Sequence, residues 1–374
     1  MKRVLVILGT RPEAVKMAPV VTALRKSPEI ETRVCITAQH REMLDQVLSL
    51  FDIHPDIDLD LMRPNQSLAE LTAAIFSHID PVLKREQPDW VLVQGDTTTV
   101  LATALTCYYN HIRVGHVEAG LRTHDKWQPF PEEINRRVAG VVADLHFAPT
   151  ERSRQNLLNE GVPEQSILVT GNPVIDALNE IVRRPAPPET QALLDSLGIC
   201  PGGKQLVLIT AHRRENFGQP LEDICLGLRT LAESYPQRLE LVYPVHLNPI
   251  VQETVNKLLG HTPNITLLKP LEYLPLVHLM KNSTLVLTDS GGIQEEATSL
   301  GKPALVLRNV TERPEGVDAG VLKLVGTDPQ VIVAEAKRLL EDPAAYQAMA
   351  NAKNPFGDGR ASQRIVQAIL DFKE

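Results

Sequence analysis

The sequence has little of what several classes of protein require. Its four cysteines lie far apart, with no CxxC pair and no histidine at metal-ligand spacing, so neither a disulfide framework nor a metal site is indicated. No apolar run approaches the ~18 residues of a membrane span. The first residues lead directly into a strand-like run without a cleavage-site pattern. We therefore expect a cytoplasmic protein that binds no metal and no membrane.

An excess of positive charge is also missing. Lysine and arginine number 38 against 46 aspartates and glutamates, and this net charge of -8 argues against nucleic acid as a partner, because phosphate backbones attract basic surfaces. A small anionic ligand remains compatible with cations gathered at one place. A dinucleotide fingerprint needs GxGxxG after the first strand, and only Gly9 stands there, so no NAD, FAD or other cofactor is expected.

What the sequence does have is a regular alternation of short β-branched runs and longer segments of helical period. Over 374 residues this pattern predicts an α/β protein of two doubly wound domains, each large enough to bury its own core. The strand candidates are Arg3–Leu8, Arg33–Ala38, Trp90–Gln94, Val114–Glu118, Leu145–Ala148, Ile167–Thr170, Leu206–Thr210, Leu239–Pro244, Ile265–Leu268, Leu285–Thr288, Ala304–Leu307 and Leu322–Val325. The helix candidates of the first half are Pro12–Lys26, Arg41–Phe51, Leu68–Glu86, Thr98–Tyr109 and Glu132–Val142.

The domain boundary is predicted where this alternation stops. Residues 1–183 form the first Rossmann-like domain, and a stiff connector is predicted over 184–190, which contains three prolines in four positions. A second Rossmann-like domain covers 191–356, and residues 357–374 add a C-terminal helix that could pack on either domain. In open parallel sheets ligands bind beyond the carboxyl ends of the strands, so polar residues at these ends are candidates for function.

Two groups of charged residues follow strands of the first domain. Arg11 and Lys16 stand at a helix start, where they could meet an anion, or else are two solvated cations beside a capped helix. The carboxylates Asp96, Glu118 and Glu132 follow successive strands or begin the next helix. We interpret these three as a shared acid/base site, with three independent helix caps as the alternative.

The strongest local signal is Ser290-Gly291-Gly292 in the second domain, where a strand meets a helix. Bare backbone N–H groups at a helix start can hold a diphosphate, and Glu296 can accept both hydroxyls of a ribose; a plain glycine turn before an acidic helix is the alternative. His212 precedes Arg213-Arg214, so its protonated form is disfavoured, and it could contact phosphate or serve as a neutral hydrogen-bond partner. His116, within a strand, is interpreted as a packed or hydrogen-bonded core residue.

The motifs, taken as a set, resemble those of one known family. They are Gly9-Thr10-Arg11-Pro12-Glu13, Ala38-Gln39-His40-Arg41, Gly95-Asp96-Thr97, Gly115-His116-Val117-Glu118-Ala119-Gly120-Leu121-Arg122, Pro131-Glu132-Glu133, Asn135-Arg136, Thr210-Ala211-His212-Arg213-Arg214-Glu215-Asn216, Thr288-Asp289-Ser290-Gly291-Gly292 and Glu312-Arg313-Pro314-Glu315. With them the sequence resembles the bacterial non-hydrolysing UDP-N-acetylglucosamine 2-epimerases over essentially its whole length.

This resemblance implies a GT-B architecture, that is, two Rossmann-like doubly wound domains with an interdomain active-site cleft, in an enzyme that is usually a homodimer. It implies reversible epimerisation of UDP-N-acetylglucosamine to UDP-N-acetylmannosamine at C2 without a cofactor, supplying cell-surface polysaccharide synthesis. The positions that match the family's catalytic residues are Asp96, Glu118 and Glu132, to which we add His212. Those that match its UDP-binding residues are His212, Ser290, Gly291, Gly292, Glu296, Arg11 and Arg313, and we place Lys16 beside them.

The resemblance extends to members of the family that carry a second UDP-N-acetylglucosamine site, at which the substrate activates the enzyme. Its matching positions here include Gln39, Arg213 and His246. Glu42 stands where those members have glutamine, and Asn65 where they have arginine. Because replacing an amide and a cation by an acid and an amide weakens a site for an anion, the resemblance leaves activation by substrate open.

Three other functions compete with this interpretation. A GT-B glycosyltransferase would use the same nucleotide site but pass the sugar to an acceptor, and the carboxylates of the first domain argue against it. A hydrolysing epimerase would release UDP and free N-acetylmannosamine. A non-catalytic nucleotide-sugar sensor is least favoured, because it has no use for three carboxylates.

Overall fold

The structure, a computed structural model, describes residues 1–37, 41–63 and 66–373. In this part of the chain none of the helices has the length and hydropathy needed to cross a membrane. Two positions considered for a second ligand site, Gln39 and Asn65, lie outside the described residues, and so does the side chain of Glu42. The chain divides into two compact units, Met1–Asn179 with Phe356–Glu374, and Glu180–Pro355.

The first unit is built on a parallel sheet of seven strands. Its strands are β1 (Lys2–Leu8), β2 (Ile30–Ile36), β3 (Ile57–Asp58), β4 (Trp90–Gln94), β5 (Arg113–Val117), β6 (Leu145–Ala148) and β7 (Ile167–Val169). The helices that alternate with them are α1 (Arg11–Arg25), α2 (Arg41–Leu50), α3 (Leu68–Glu86), α4 (Thr98–Tyr109), α5 (Glu132–Val142), α6 (Glu151–Asn159) and α7 (Pro173–Ile181). The strand order is β3-β2-β1-β4-β5-β6-β7. The chain therefore adds β2 and β3 on one side of β1 and then β4 to β7 on the other side, which makes a topological switch point between β1 and β4.

Burial explains why the strands of this unit are so apolar. Residues 4–8 of β1 and 91–93 of β4 are at most 2% exposed, as expected where helices cover both faces of a sheet. The predicted strands Trp90–Gln94 and Leu145–Ala148 are confirmed residue for residue, and the other predicted strands of this unit differ at their ends. Strand β3 was not predicted, because two residues that are not buried give no periodic pattern.

The second unit repeats the architecture with six parallel strands. Its strands are β8 (Gln205–Thr210), β9 (Leu239–Pro244), β10 (Ile265–Leu268), β11 (Ser283–Thr288), β12 (Ala304–Val306) and β13 (Leu322–Leu324). Its helices are α8 (Pro188–Ser196), α9 (Gln219–Ser234), α10 (Pro249–Leu259), α11 (Tyr273–Asn282), α12 (Gly291–Ser299), α13 (Pro314–Asp318), α14 (Pro329–Glu341) and α15 (Pro343–Ala350). The strand order is β10-β9-β8-β11-β12-β13, so the chain adds strands first on one side of β8 and then on the other, and the switch point lies between β8 and β11.

The chain passes from one unit to the other within α7, between Asn179 and Glu180. The sequence analysis predicted a boundary at residue 183 and an extended connector over 184–190. Residues 188–190 of that connector are helical, because Pro188 occupies the first position of α8, where its fixed φ is favourable and its missing N–H is not needed.

The C-terminal helix, α16 (Ala361–Asp371), belongs to the first unit and packs against α1. The Lys2 ammonium donates hydrogen bonds to the carbonyls of Ile369, Leu370 and Phe372 at 2.6, 3.0 and 3.1 Å, which satisfies the last carbonyls of the helix with a positive charge. The Phe372 ring meets the buried Trp90 ring edge to face, with centroids 4.9 Å apart. These contacts join the two ends of the chain in one core.

The switch points fix where polar loops converge. At the switch point between β1 and β4, the turns beginning at Gly9 and Gly95 come together; at that between β8 and β11, the segments after Thr210 and Thr288 do the same. Such switch points are where open α/β sheets bind ligands. A Cβ on Gly9 would lie 2.4 Å from the Thr99 hydroxyl, so glycine is needed for this close approach.

Candidate active site

The carboxyl of Glu118 lies at the centre of the polar cluster in the first unit. The Lys16 ammonium donates to its two oxygens at 2.6 and 2.7 Å, the Asn172 amide donates at 2.9 Å, and the Gln94 amide donates as well. Glu118 is 6% exposed and has a φ of 64°, a conformation that a residue other than glycine rarely adopts. Three side chains from distant parts of the sequence, Lys16, Gln94 and Asn172, thus hold one carboxylate after β5.

Asp96 is the second carboxylate of this cluster. Its side chain forms an ion pair with Arg136 of α5, and its carbonyl accepts a hydrogen bond from the Asn135 amide at 2.9 Å. The alternative that Asp96 caps α4 is wrong, since Thr97 is the N-cap and its hydroxyl accepts from the Val100 N–H. Asp96 therefore faces cations rather than the helix start.

Glu132 begins α5 and is half-buried. Its neighbour Glu133 accepts hydrogen bonds from the N–H groups of Thr123 and His124 at 3.1 and 3.2 Å and lies 3.4 Å from Arg136. The predicted acid/base residues of this unit are therefore Glu118 after β5, Asp96 after β4 and Glu132 at the start of α5.

Glu13 is a residue of this cluster to which the sequence analysis gave no role. It is 1% exposed, accepts the Gly9 N–H at 3.1 Å and the Thr97 hydroxyl at 3.0 Å, and so ties the turn after β1 to the turn after β4. Burial raises the pKa of Glu13 from 4.5 to about 7, although hydrogen bonds from Thr10, Thr97 and Gly9 act to lower it. The only sequence signal was an acidic residue two positions after Arg11.

Arg11 and Lys16 both lie on α1, half-buried, with Arg11 as its first residue. Lys16 has Glu118 as its ion-pair partner rather than standing as a solvated cation. His116, as interpreted from the sequence, is fully buried, and its Nε2 lies 2.7 Å from the Gly95 carbonyl. Burial lowers the pKa of His116 to about 4, which keeps the ring neutral near pH 7.

In the second unit the Ser290-Gly291-Gly292 turn opens α12, as predicted from the sequence. A Cβ on Gly291 would lie 2.5 Å from the Arg313 guanidinium, whereas a Cβ on Gly292 would have nothing within 4 Å. Gly291 is therefore required by the packing of Arg313, and the space beside Gly292 stays open. The Ser290 N–H donates to the Thr288 hydroxyl at 2.9 Å, and Gly291 and Gly292 are the first two residues of α12, whose N–H groups have no carbonyl partner within the helix. The helix start thus places these glycine N–H groups near a guanidinium, a combination that suits a phosphate.

A network of buried ion pairs holds Arg313 in place. Arg313 pairs with Glu295 of α12, and Arg308 pairs with Glu312 at 2.8 Å and with Glu215. Burial acts to raise the pKa of Glu312, but the hydrogen bonds and charges of Arg308 and Arg313 outweigh it and bring that pKa to about 2. Glu312 also lies 3.8 Å from Arg313, so the network fixes the Arg313 guanidinium beside the turn.

Glu296 is buried in α12, and its Oε1 accepts a hydrogen bond from the Tyr273 hydroxyl at 2.6 Å. This contact orients a carboxylate that the sequence predicted as a ribose ligand. Tyr273 escaped the sequence analysis because it comes from α11, far from Glu296 in the chain.

His212 and Arg213 follow β8, and both backbone N–H groups donate to Asp289 Oδ2 at 2.7 Å. The His212 ring stacks on the ring of His246, with centroids 5.0 Å apart and planes inclined by 8°. Burial lowers the pKa of His212, the charge of Asp289 raises it, and His246 and Arg213 lower it further. The predicted direction is confirmed, but its main cause is burial rather than the neighbouring arginines.

Within the described residues, no group of three or more histidine, cysteine, aspartate or glutamate side chains is arranged to hold a metal ion. The switch point of the second unit offers an anion site, and that of the first unit offers carboxylates beside cations. Together with two Rossmann-like sheets, these features define the class of GT-B enzymes that act on nucleotide sugars.

The chain belongs to the UDP-N-acetylglucosamine 2-epimerase family, whose family model matches residues 22–370. It is 55% identical to a probable UDP-N-acetylglucosamine 2-epimerase of Ralstonia solanacearum over 100% of both chains. It is also 55% identical to the UDP-N-acetylglucosamine 2-epimerase of Escherichia coli K12 over 98% of both. The crystal structure of the UDP-GlcNAc 2-epimerase from Neisseria meningitidis bound to UDP-GlcNAc has 50% identity and a TM-score of 0.92, covering 99% of this chain and 100% of that one. The predicted fold class and family are confirmed.

Proposed function

We propose that this chain interconverts UDP-N-acetylglucosamine and UDP-N-acetylmannosamine by inverting C2 of the sugar. The observation that carries the proposal is the different chemistry of the two switch points. One gathers Asp96 and Glu118 beside cations, and the other presents the Ser290-Gly291-Gly292 turn beside Arg313. Membership of the family supports the same activity.

The substrate's own chemistry decides the route. The C2–H bond lies next to an acetamido group and no carbonyl, so removing its proton directly would leave a carbanion without stabilisation. If the C1–O bond to UDP breaks first, UDP leaves with the electron pair, C1 becomes positive, and the C2 proton becomes acidic. Loss of that proton gives 2-acetamidoglucal, and protonation of C2 from the opposite face with return of UDP to C1 gives the epimer.

The second unit stabilises the departing UDP in this proposal. The N–H groups of Gly291 and Gly292, together with Ser290, Arg313 and His212, bind the diphosphate, whose negative charge grows as the C1–O bond breaks. Glu296, oriented by Tyr273, accepts the ribose hydroxyls. Interactions that strengthen as charge develops on the leaving group are the ones that accelerate the reaction.

The first unit moves the protons in this proposal. Inversion needs a group on each face of the sugar, and Asp96, Glu118 and Glu132 are the carboxylates available for this work. Lys16 compensates the charge of buried Glu118, and Arg136 does the same for Asp96. Arg11 adds positive charge for the diphosphate, whereas Lys16, which the sequence analysis placed beside it, is engaged by Glu118.

The deciding experiment is incubation with UDP-N-acetylglucosamine in deuterated water, followed by NMR, without added cofactor or metal. Elimination requires solvent deuterium at C2 of the epimerised product, and retention of the original hydrogen rules this route out. Free N-acetylmannosamine as the main product favours the hydrolysing alternative. Sugar transfer to an added acceptor indicates a glycosyltransferase, and binding without turnover a sensor.

Carboxamide variants test the proton-transfer residues. General acid–base groups contribute about 10²–10⁴-fold, so Asp96→Asn, Glu118→Gln and Glu132→Gln should each lower kcat within that range while UDP affinity by calorimetry changes little. Glu151→Gln is the matched control, since Glu151 begins α6 as Glu132 begins α5. A lowered melting temperature with normal kcat per folded enzyme would show that the three carboxylates are structural.

The same proposal includes a homodimer formed through α4 and α5. These helices pack together and leave apolar side chains uncovered, with Tyr108 62%, Tyr109 66% and Val141 84% exposed. Sedimentation should give a dimer that Val141→Glu dissociates. Val310→Glu, at a 63% exposed valine of the second unit, is the control and should leave the dimer intact.

Activation by a second substrate molecule is left open by Glu42 and Asn65, and we propose that it would act through Arg213 and His246. The supporting contact is the stack of His246 on His212, which joins any ligand at His246 to the nucleotide loop. Conversion of UDP-N-acetylmannosamine should then accelerate when a trace of UDP-N-acetylglucosamine is added, and His246→Ala should abolish the acceleration.

A cytoplasmic location and a supply of UDP-N-acetylmannosamine for cell-surface polysaccharides complete the proposal. The four free cysteines support this location.

A further inference from the structure

We propose that Asp289 is a positioning residue that acts through His212: its buried Oδ1 accepts the Nδ1 proton of His212 when nucleotide sugar binds, leaving Nε2–H to donate to the diphosphate. The bound ring is then an imidazolium held between two anions. This inference rests on the proposed function, because it takes the loop after β8 as part of the nucleotide site.

The two oxygens of Asp289 have different surroundings. Asp289 is fully buried at the end of β11, directly before Ser290. Its Oδ2 accepts three hydrogen bonds, from the N–H groups of His212 and Arg213 at 2.7 Å and from the Asn216 amide at 3.1 Å. Its Oδ1 is buried and has no hydrogen-bond partner in the part of the chain that the structure describes.

A nitrogen that could donate to this oxygen, Nδ1 of His212, lies 3.7 Å from it. The torsion that turns an imidazole ring is soft, so a small rotation brings the two atoms within hydrogen-bond distance. A carboxylate behind a histidine fixes the ring's orientation and tautomer and stabilises its protonated form. Buried polar atoms normally have a hydrogen-bond partner, and the ring of His212 can therefore supply one to Asp289 Oδ1.

The groups that face His212 are Asp289, His246 and Arg213. Asp289 favours the imidazolium, and the other two disfavour it. His246 does not compete for Asp289, because its Nδ1 is occupied as the acceptor of the Asn248 N–H at 3.1 Å. Without ligand, burial lowers the pKa of His212, so the ring is neutral near pH 7.5; an arriving diphosphate tips the balance and a proton is taken up from solvent.

The number of protons taken up on binding distinguishes the two possible roles of Asp289, because an aspartate with a merely structural role would not change it. The probe is UDP-N-acetylglucosamine itself, whose diphosphate has no titrating proton near neutral pH. Calorimetric titrations at pH 7.5 in buffers of different ionisation enthalpy give the number of protons taken up. The number of protons is the slope of the observed binding enthalpy plotted against the ionisation enthalpy of the buffer. Heat from any turnover is the same in every buffer and does not change this slope.

We expect the unmodified protein to take up close to one proton, so that its affinity falls up to tenfold for each pH unit above neutrality. In Asp289→Asn the amide oxygen can still accept from the loop, but its NH₂ faces Nδ1 and favours the neutral Nε2–H tautomer. That tautomer donates to phosphate without gaining a proton, so the uptake should vanish. His212→Asn should abolish it as well.

Asp328→Asn is the matched control, because Asp328 also accepts two backbone N–H groups, at 2.7 and 3.3 Å, at an exposed helix start of the same unit. It should keep the uptake. If the Asp289 variant does not fold by circular dichroism, the comparison of His212→Asn with the unmodified protein still tests whether the proton goes to this ring.

The outcomes separate the two levels of the argument. Uptake that is absent in the unmodified protein, or that persists in folded Asp289→Asn or in His212→Asn, overturns the role of Asp289 and leaves the epimerase proposal standing. No binding of UDP-N-acetylglucosamine by the unmodified protein overturns the proposed function, and this inference with it. Uptake lost in both variants and kept in Asp328→Asn supports the pair.

Discussion

Replacing Glu13 by glutamine should change the stability of the first unit relative to wild type in the variant's favour as the pH rises from 4.5 to 8. Burial raises the pKa of Glu13 from 4.5 to about 7. A group that binds its proton more tightly in the folded chain stabilises that chain fully below its unfolded pKa, and this stabilisation is lost as the pH rises through the folded pKa. At 1.36 kcal/mol per pKa unit, the loss between pH 4.5 and pH 8 is about 3 kcal/mol.

Glutamine keeps the size of the side chain and one carbonyl acceptor but cannot ionise. Wild type and Glu13→Gln should therefore differ by an amount that changes with pH, moving about 3 kcal/mol in favour of the variant between pH 4.5 and pH 8. The steepest change should lie between pH 5 and pH 7. The absolute difference also includes the altered hydrogen bonds to Gly9 and Thr97, which do not depend on pH, so only the slope carries the test.

Urea unfolding followed by tryptophan fluorescence isolates the right part of the protein. Both tryptophans of the chain, Trp90 and Trp127, lie in the first unit with Glu13, so their signal reports that unit alone. Glu29→Gln, at an exposed position of the same unit, is the control and should run parallel to wild type at every pH. A difference between wild type and Glu13→Gln that stays constant from pH 4.5 to pH 8 would refute the buried-carboxyl argument.

Three further predictions follow from single contacts. Lys16→Met leaves a buried carboxylate without its cation and should lower the stability of the first unit by about 3–5 kcal/mol in the same urea assay, whereas Lys84→Met breaks an exposed pair and should cost at most about 1 kcal/mol. Gly292→Val should weaken UDP binding in calorimetry at unchanged melting temperature, while Gly291→Val should also lower the melting temperature because its side chain meets a guanidinium. Tyr273→Phe should weaken UDP binding by about two- to tenfold and leave the binding of 2′,3′-dideoxy-UDP unaffected, since the lost hydrogen bond orients Glu296, the proposed ligand of both ribose hydroxyls.

Local sequence patterns predicted the sheet strands well because the strands are buried on both faces. A continuous apolar run such as Trp90–Gln94 has one stable environment, the centre of a parallel sheet, and its ends show directly in the sequence. The extended connector over 184–190 was harder to predict, since proline suits both a stiff linker and a first helical position. Which of the two Pro188 takes depends on the apolar residues that follow it in α8.

Side-chain partners were not predictable, because they join residues that are distant in sequence. Lys16 and Glu118 lie 102 positions apart, and Asp289 accepts from N–H groups 76 and 77 positions away. No periodicity encodes such pairs; they arise from the order of strands in the sheet, which sets turns side by side. The sequence could place each residue at a strand end, but the sheet order was needed to decide its partner.

The partners also bear on the choice between caps and catalysis. Taken singly, Asp96 and Glu132 fit helix starts, and the alternative of independent caps was strong for each. In the structure Thr97 caps α4, and Glu133 accepts the N–H groups of the loop before α5. The backbone groups at these two helix starts thus have Thr97 and Glu133 as acceptors, and the Asp96 side chain pairs with Arg136 instead. This pairing is the reason to propose chemistry rather than capping for Asp96, and the carboxamide variants of Asp96 and Glu132 test the proposal for both residues.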